Sequence, residues 1–196
     1  MNMERSERHA TVREGYQILL RAEAEVLEPM DKPRIRAFYR NMGETCMRWA
    51  QSVYGESLRR DFLALDGIRE RSQFGMQRYR LRMRLAWEDA HYAAIVCESW
   101  LSGQWKEPQK SYHRMSHVWN LAEETVLPFS EILTRFGMKI KKESLPFAPD
   151  GIYPEGESMV FFRNVSDRTP FLEKRLTRNA DVQKETSQKG NSEKDP

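Results

Sequence analysis

The spacing of apolar side chains changes period along this chain, and the change separates a helical part from an extended one. After Asp31-Lys32-Pro33, the residues Ile35, Phe38, Met42, Cys46, Trp49 and Val53 recur at steps of three and four, which sets them on one stripe of a helix. Asp31 is placed to cap its start, and Pro33 suits the first turn, where no N–H is needed. Gly55 marks a stop or a kink. A second run, Ser57 to Leu65, presents Leu58, Phe62 and Leu65 in the same way. These two runs predict one amphipathic helical layer.

From Gln77 to Trp87 the period falls to two. Tyr79, Leu81, Met83, Leu85 and Trp87 alternate with Arg78, Arg80, Arg82 and Arg84, the pattern of a strand with one dry and one wet face. Glu88-Asp89-Ala90-His91 turns the chain into a more apolar strand, Tyr92 to Leu101, which Ser102-Gly103-Gln104 ends. Further strands are predicted at Ser111 to Trp119, Thr125 to Leu127 and Ser158 to Arg163. Ser130 is set to cap a brief helix, Glu131 to Phe136, closed by Gly137. The proline-punctuated stretch Leu145 to Gly156 reads as loop. Between Thr11 and Leu27, Arg21-Ala22-Glu23-Ala24-Glu25 favours helix by propensity, while Tyr16 to Leu20 suits either state.

This order predicts an α+β fold, an N-terminal helical layer packed on one face of a mostly antiparallel sheet. Residues 1–10 are expected to be a flexible N-terminus, 11–176 a single domain, and 177–196 a disordered charged tail. Beyond Thr177 only Ala180 and Val182 are apolar, too little to offset the entropy of ordering.

Composition narrows the function classes. The chain has 196 residues, 39% of them hydrophobic and 31% charged, enough for one core under a wet surface. It has no apolar run of membrane-spanning length and no apolar segment after the opening charges, so neither a membrane partner nor a secretory signal is expected, and the cytoplasm is the expected location. A net charge of +3, from 32 basic and 29 acidic groups, is too mild to imply nucleic acid by itself.

Candidate chemistry is sparse. Cys46 and Cys97 fall at apolar positions, where thiols behave as small hydrophobes. His113 and His117, four apart on a strand, stand about 13 Å from one another, too far to share one zinc ion. No GxSxG elbow or phosphate-cradling glycine loop occurs. No catalytic residue, metal ligand or cofactor is therefore assigned. The arginine row is the main candidate for binding: Arg78, Arg80, Arg82 and Arg84 project from one strand face and suit an acidic protein surface or a phosphate backbone. The alternate spacing of Glu23 and Glu25, and Glu98, favours instead their pairing with carboxylates on neighbouring strands. Trp105, in the polar loop Gly103 to Pro108, and Tyr112, in the central aromatic group, complete the candidate binding residues.

The order of these segments also resembles a known family. An apolar strand ending in Leu101-Ser102-Gly103, a strand ending in Trp119-Asn120-Leu121, then Leu127, Ser130, Glu131, Ile132 and Leu133, and a closing run with Tyr153, Gly156, Val160 and Phe161 resemble the extracytoplasmic domain of RsiV-type anti-sigma factors and related uncharacterised bacterial domains. The resemblance implies a helix packed across an antiparallel sheet and makes the Tyr16 region a strand. Studied members recognise lysozyme outside the cell. Where they carry a Gly-Gly-Ala-His-like sequence, this chain reads Leu101-Ser102-Gly103-Gln104-Trp105, and no functional residue is carried over. The expected function is a non-enzymatic protein-binding or regulatory module with an unidentified protein partner. The alternatives are a nucleic-acid-binding protein using the Arg78–Arg84 face, and a small enzyme.

Overall fold

The computed structural model describes residues 1–103, 110–138, 140, 144–165 and 171–177. Two strands come first: β1 (Met3–Glu14) and β2 (Gln17–Pro29) form a hairpin around Gly15, whose φ of 55° is the left-handed turn conformation open to glycine. The helical segment follows as α1 (Pro33–Arg48), a π-helical stretch (Trp49–Tyr54), α2 (Gly55–Leu63) and the short α3 (Ile68–Ser72). Then come β3 (Gln77–Glu88), β4 (Tyr92–Ser102), β5 (Lys110–Asn120), β6 (Thr125–Val126) and α4 (Phe129–Arg135). A second hairpin and strand close the described chain: β7 (Gly151–Glu155), β8 (Ser158–Asn164) and β9 (Phe171–Thr177).

The helical layer is thus not N-terminal, and the first ten residues are not loose. β1 starts at Met3, pairs with β2 along its whole length, and alternates in burial. Its apolar content is low because backbone pairing, rather than side-chain burial, holds it. In β2 the helix-prone Ala22 and Ala24 are fully buried while Arg21, Glu23 and Glu25 turn outward. Long-range pairing overrides local propensity there.

The strands form a six-stranded sheet, order β1-β2-β3-β4-β5-β6, and a three-stranded sheet, order β7-β8-β9. All neighbours are antiparallel except β2 and β3, which run parallel because the helical crossover carries the chain from one to the other. Helices cover one face: Ile35, Tyr39, Met47, Ala50, Leu58 and Phe62 pack on Ala22, Ala24 and Val26 of β2, Leu81 and Met83 of β3, and Ile95 of β4. Among the described residues the small sheet and α4 cover the opposite face at its β4–β5 end and reach the end of β3, where Ala94, Val96 and Val118 meet Ile132, Ile152, Val160 and Phe162. Residues 93–97 of β4 are buried on both sides, which is why that strand reads as a continuous apolar run. β7 lies in the stretch expected to be loop; its Pro154 is admissible because the strand is an edge of its sheet.

The inward stripe of α1 is also rotated from the expected one. Ile35, Tyr39, Gly43, Met47 and Ala50 face the sheet, while Phe38, Trp49 and Val53 remain 36%, 42% and 59% exposed. Gly43 decides this rotation: a Cβ there would lie 2.5 Å from Cγ2 of Val26, so the helix approaches the sheet along the side that lacks one. Tyr39 is fully buried, its hydroxyl accepting a 2.8 Å hydrogen bond from Nε1 of Trp119 and lying 3.3 Å from Nδ1 of His117. Burial pushes the His117 imidazole down from its ordinary value, keeping it neutral.

The caps differ too. Asp31 accepts from the backbone N–H of Asn2, and the start of α1 is capped from a distance. Glu124 Oε2 accepts from the backbone N–H of Arg34 at 2.7 Å and of Ile35 at 3.3 Å. α4 begins after Pro128 without a side-chain cap from Ser130, and ends at Gly137 as expected. Gly43→Ala is expected to destabilise the chain by about 1–3 kcal/mol through overpacking; urea unfolding measures it, and adding Val26→Ala is expected to return part of the loss.

Candidate interaction face

The uncovered part of the sheet face opposite α1 and α2 is where the charged side chains gather. Strand alternation puts Tyr79, Leu81 and Met83 under the helices, so Arg78, Arg80 and Arg82 stand exposed on the other side. The register sets their neighbours. Along one row Thr11, Arg21, Arg78 and Ser102 face one another; along the next His9, Glu23, Arg80, Trp100 and Tyr112; along the third Glu7, Glu25, Arg82, Glu98 and Arg114.

These rows are not equivalent. In the second, Arg80 holds Glu23 through Nη2 at 2.8 Å and Nε at 3.0 Å, and its guanidinium lies 5.8 Å from the Trp100 ring centroid. In the third, Arg82 Nε stands 3.5 Å from Glu25. Both pairs are exposed, a setting where an ion pair contributes about 0–1 kcal/mol. In the first row, Arg21 and Arg78 are direct partners across the parallel pair, both exposed, and neither meets a carboxylate among the described residues. Like charges set opposite on a sheet repel.

Arg84 belongs to a different environment. It is half-buried at the border of the small sheet, where Nη1 donates to Glu155 at 2.7 Å and Nη2 to the Tyr153 hydroxyl at 3.2 Å. Beside it lies Arg114, 5% exposed, which sequence reasoning passed over. Arg114 donates to Glu98 from Nε at 2.8 Å, and from Nη1 to Glu173 at 2.7 Å and to Tyr153 at 3.2 Å. Its guanidinium stacks 3.4 Å from the Phe171 centroid, and Asn164 brackets its backbone, accepting from N–H at 2.7 Å and donating to C=O at 3.0 Å. Arg175 then links Glu173 at 2.8 Å with Glu155 at 2.6 Å. Three arginines and two glutamates thus close a ring through the Tyr153 hydroxyl, spanning both sheets, with Glu98 attached to it at Arg114. Burial raises the Tyr153 phenol above its ordinary value against the pull of Arg114 and Arg84, so it stays protonated.

The sequence-predicted residues therefore divide. Arg78, Arg80 and Arg82 share the open face; Arg84 is taken into the inter-sheet ring; Tyr112 is half-buried opposite Trp100; Trp105 lies outside the described residues. Glu23 and Glu25 pair with the arginine row as their spacing indicates, whereas Glu98 serves Arg114. That Glu98 interrupts the apolar run of β4 is the signal by which a buried cation could have been found. A groove of about 410 Å³ near Arg13, Gln51, Ser52 and Glu56 opens to solvent. Burial pushes the Cys97 thiol up to about 12, which leaves it un-ionised at neutral pH.

Arg114→Ala is expected to cost about 2–3 kcal/mol in chemical unfolding, since it removes a buried guanidinium and its charge-assisted hydrogen bonds to the part-exposed Glu98 and Glu173, whereas Arg80→Ala is expected to change stability by less than about 1 kcal/mol. Burial raises the Glu155 carboxyl, but the hydrogen bonds from Arg84 and Arg175 outweigh it and hold the group below 4.5. The stabilisation it gives is complete above that value and is lost as pH falls through the lower, folded one. Unfolding followed across acid pH is expected to show this loss, and Glu155→Gln to flatten it.

No family model matches the sequence, and none of the curated proteins compared with it is similar enough to count as a relative. Among solved structures the chain is similar to a DUF3298 family protein from Pseudomonas aeruginosa, at 13% identity and a TM-score of 0.55 over 91% of this chain and 92% of that one. It is also similar to a DUF3298 family member from Bacteroides fragilis, at 8% identity and a TM-score of 0.57 over 90% of each chain. At these identities the likeness is one of fold, and it extends over nearly the whole length of the chains compared. No helix among the described residues is long and apolar enough to cross a membrane.

Proposed function

We propose that this chain is a non-enzymatic protein-binding domain of RsiV-like type that takes an acidic segment of a partner protein on the open face of its large sheet. The observation that carries this reading is the unequal pairing on that face: Arg80 and Arg82 have carboxylates, while the facing Arg21 and Arg78 have none among the described residues. A partner carboxylate between them would relieve their repulsion through charge-assisted hydrogen bonds. One row away, about 6–7 Å along the strands, the facing pair Trp100 and Tyr112 offers half-buried aromatic surface for a neighbouring apolar side chain. A phosphate backbone fits this face less well, because Glu7, Glu23 and Glu25 stand among the arginines and would repel a continuous anion. The sequence resemblance to RsiV-type domains, whose studied members bind a protein, supports the same class of function.

Peptide-display selection on the wild-type chain, with an Arg21→Glu/Arg78→Glu variant as the counter-target, tests this. Enriched peptides are expected to carry Asp or Glu close to an aromatic residue, and to bind the double variant at least about tenfold more weakly, equivalent to about 1.4 kcal/mol. Peptides that bind both proteins equally would overturn the reading. Tight oligonucleotide binding with a steep salt dependence would replace it with the nucleic-acid alternative.

A further inference from the structure

The outer edge of β1 closes no pair with any described strand: β1 ends the sheet order, and its other side is taken by β2 along the full length. Long edges are commonly protected by charge, which makes pairing with another strand costly. The charges of β1 do not act that way in every register. Its first part reads Met3-Glu4-Arg5-Ser6-Glu7-Arg8-His9. Two copies sharing this same edge antiparallel must place a two-fold axis through a residue, because facing residues must both point their backbone groups outward or both inward.

With the axis on Ser6, Glu4 faces Arg8 and Arg5 faces Glu7 of the second copy, and the two-fold doubles each pair. Every charge from Glu4 to Arg8 then meets its opposite. Moving the axis to Arg5, Glu7 or Arg8 leaves no carboxylate facing a guanidinium, and moving it to His9 sets Glu4 against Glu14 and Arg5 against Arg13. Axes on Ala10 or Thr11 give one kind of pair each, Glu7 with Arg13 or Arg8 with Glu14, and run across the register shift between Val12 and Arg13. We infer that β1 is a self-pairing edge, through which two copies of this chain join antiparallel about Ser6 into one continuous sheet.

The surroundings are compatible with this. Arg5 and Glu7 are exposed on the open face, and Glu4 is exposed toward the helical side. Ser6 is held by a 3.0 Å hydrogen bond from its hydroxyl to Glu28, itself fixed by Arg36 and Arg40, so the centre of the edge is rigid before any partner arrives. Arg8 has a neighbour in its own chain, Glu44 at 3.2 Å, and is the least free of the charges involved. Arg5 and Glu7 therefore carry most of the discrimination between registers. Across strands, opposite-charge pairs attract and like pairs repel.

Charge exchange on the full chain tests the inference, read by sedimentation velocity and light scattering. The wild type is expected to form a dimer at high micromolar concentration, weakened by salt. Glu7→Arg makes both positions cationic and Arg5→Glu makes both anionic; each variant alone is expected to be monomeric. The two mixed in equal amounts are expected to form a heterodimer, and the Arg5→Glu/Glu7→Arg exchange is expected to recover the homodimer. Circular dichroism of each variant checks that the fold is kept. A wild type that stays monomeric, or a dimer that all four proteins form equally, would overturn the proposal. These results do not depend on the Arg21–Arg78 face, which the variants leave intact.

Discussion

A guanidinium removed from water ties the two sheets together. Arg114 sits on β5 of the large sheet, yet its partners come from three other strands: Glu98 from β4, Tyr153 from β7 and Glu173 from β9. Moving such a charge into the interior is costly unless its donors are satisfied, and here two carboxylates, a phenol and the face of Phe171 share the work. Directionality follows from this. Apolar contacts between the sheets, such as Val118 against Ile152 and Phe162, would tolerate some sliding, whereas the fork of Arg114 fixes where β7 and β9 lie. Arg84 and Arg175 extend the same constraint by holding Glu155 from opposite sides.

The sequence was most readable where burial is decided within one strand. β3 alternates because one face lies under helices and the other is wet, and β4 is continuously apolar because both faces are covered. β5, β6 and β8 were readable as well. What could not be read depends on distant pairing. β1 has little apolar content, β7 contains a proline, and β9 is short and mostly exposed; each is extended because a neighbour offers its backbone. The Ala-Glu alternation of β2 fits helix or strand, and only α1 lying above Ala22 and Ala24 decides between them. The inward stripe of α1 differs from the one its spacing predicts because Gly43 carries no hydrophobic signal, although its missing side chain sets the closest approach of helix and sheet.

The same division applies to the candidate site. The arginine row and the carboxylates opposite it follow from alternation alone, since Glu23 and Glu25 share the parity of Arg80 and Arg82 once the strands are paired. Arg84 breaks the series because the small sheet reaches it, and Glu155, its partner, comes from a segment that reads as loop. Arg21 shares the parity of Glu23 and Glu25, but its position opposite Arg78 required the register of a parallel pair separated by the whole helical crossover. The like-charged pair that distinguishes the open face is thus a product of topology.

The π-helical stretch between α1 and α2 bears on how this fold can vary. Ala50 and Gly55 both face the sheet although they are five residues apart, one more than a regular α-helix allows between neighbours on a single face. The widened turn takes up that surplus residue locally, so Leu58 and Phe62 stay in phase with Ile35 and Tyr39. A chain shorter by one residue between Arg48 and Gly55 would close into an unbroken α-helix with both inward stripes kept. Deletion of a single residue is therefore absorbed at this point of the crossover, while elsewhere in α1 or α2 the same change would turn the buried side chains away from the sheet.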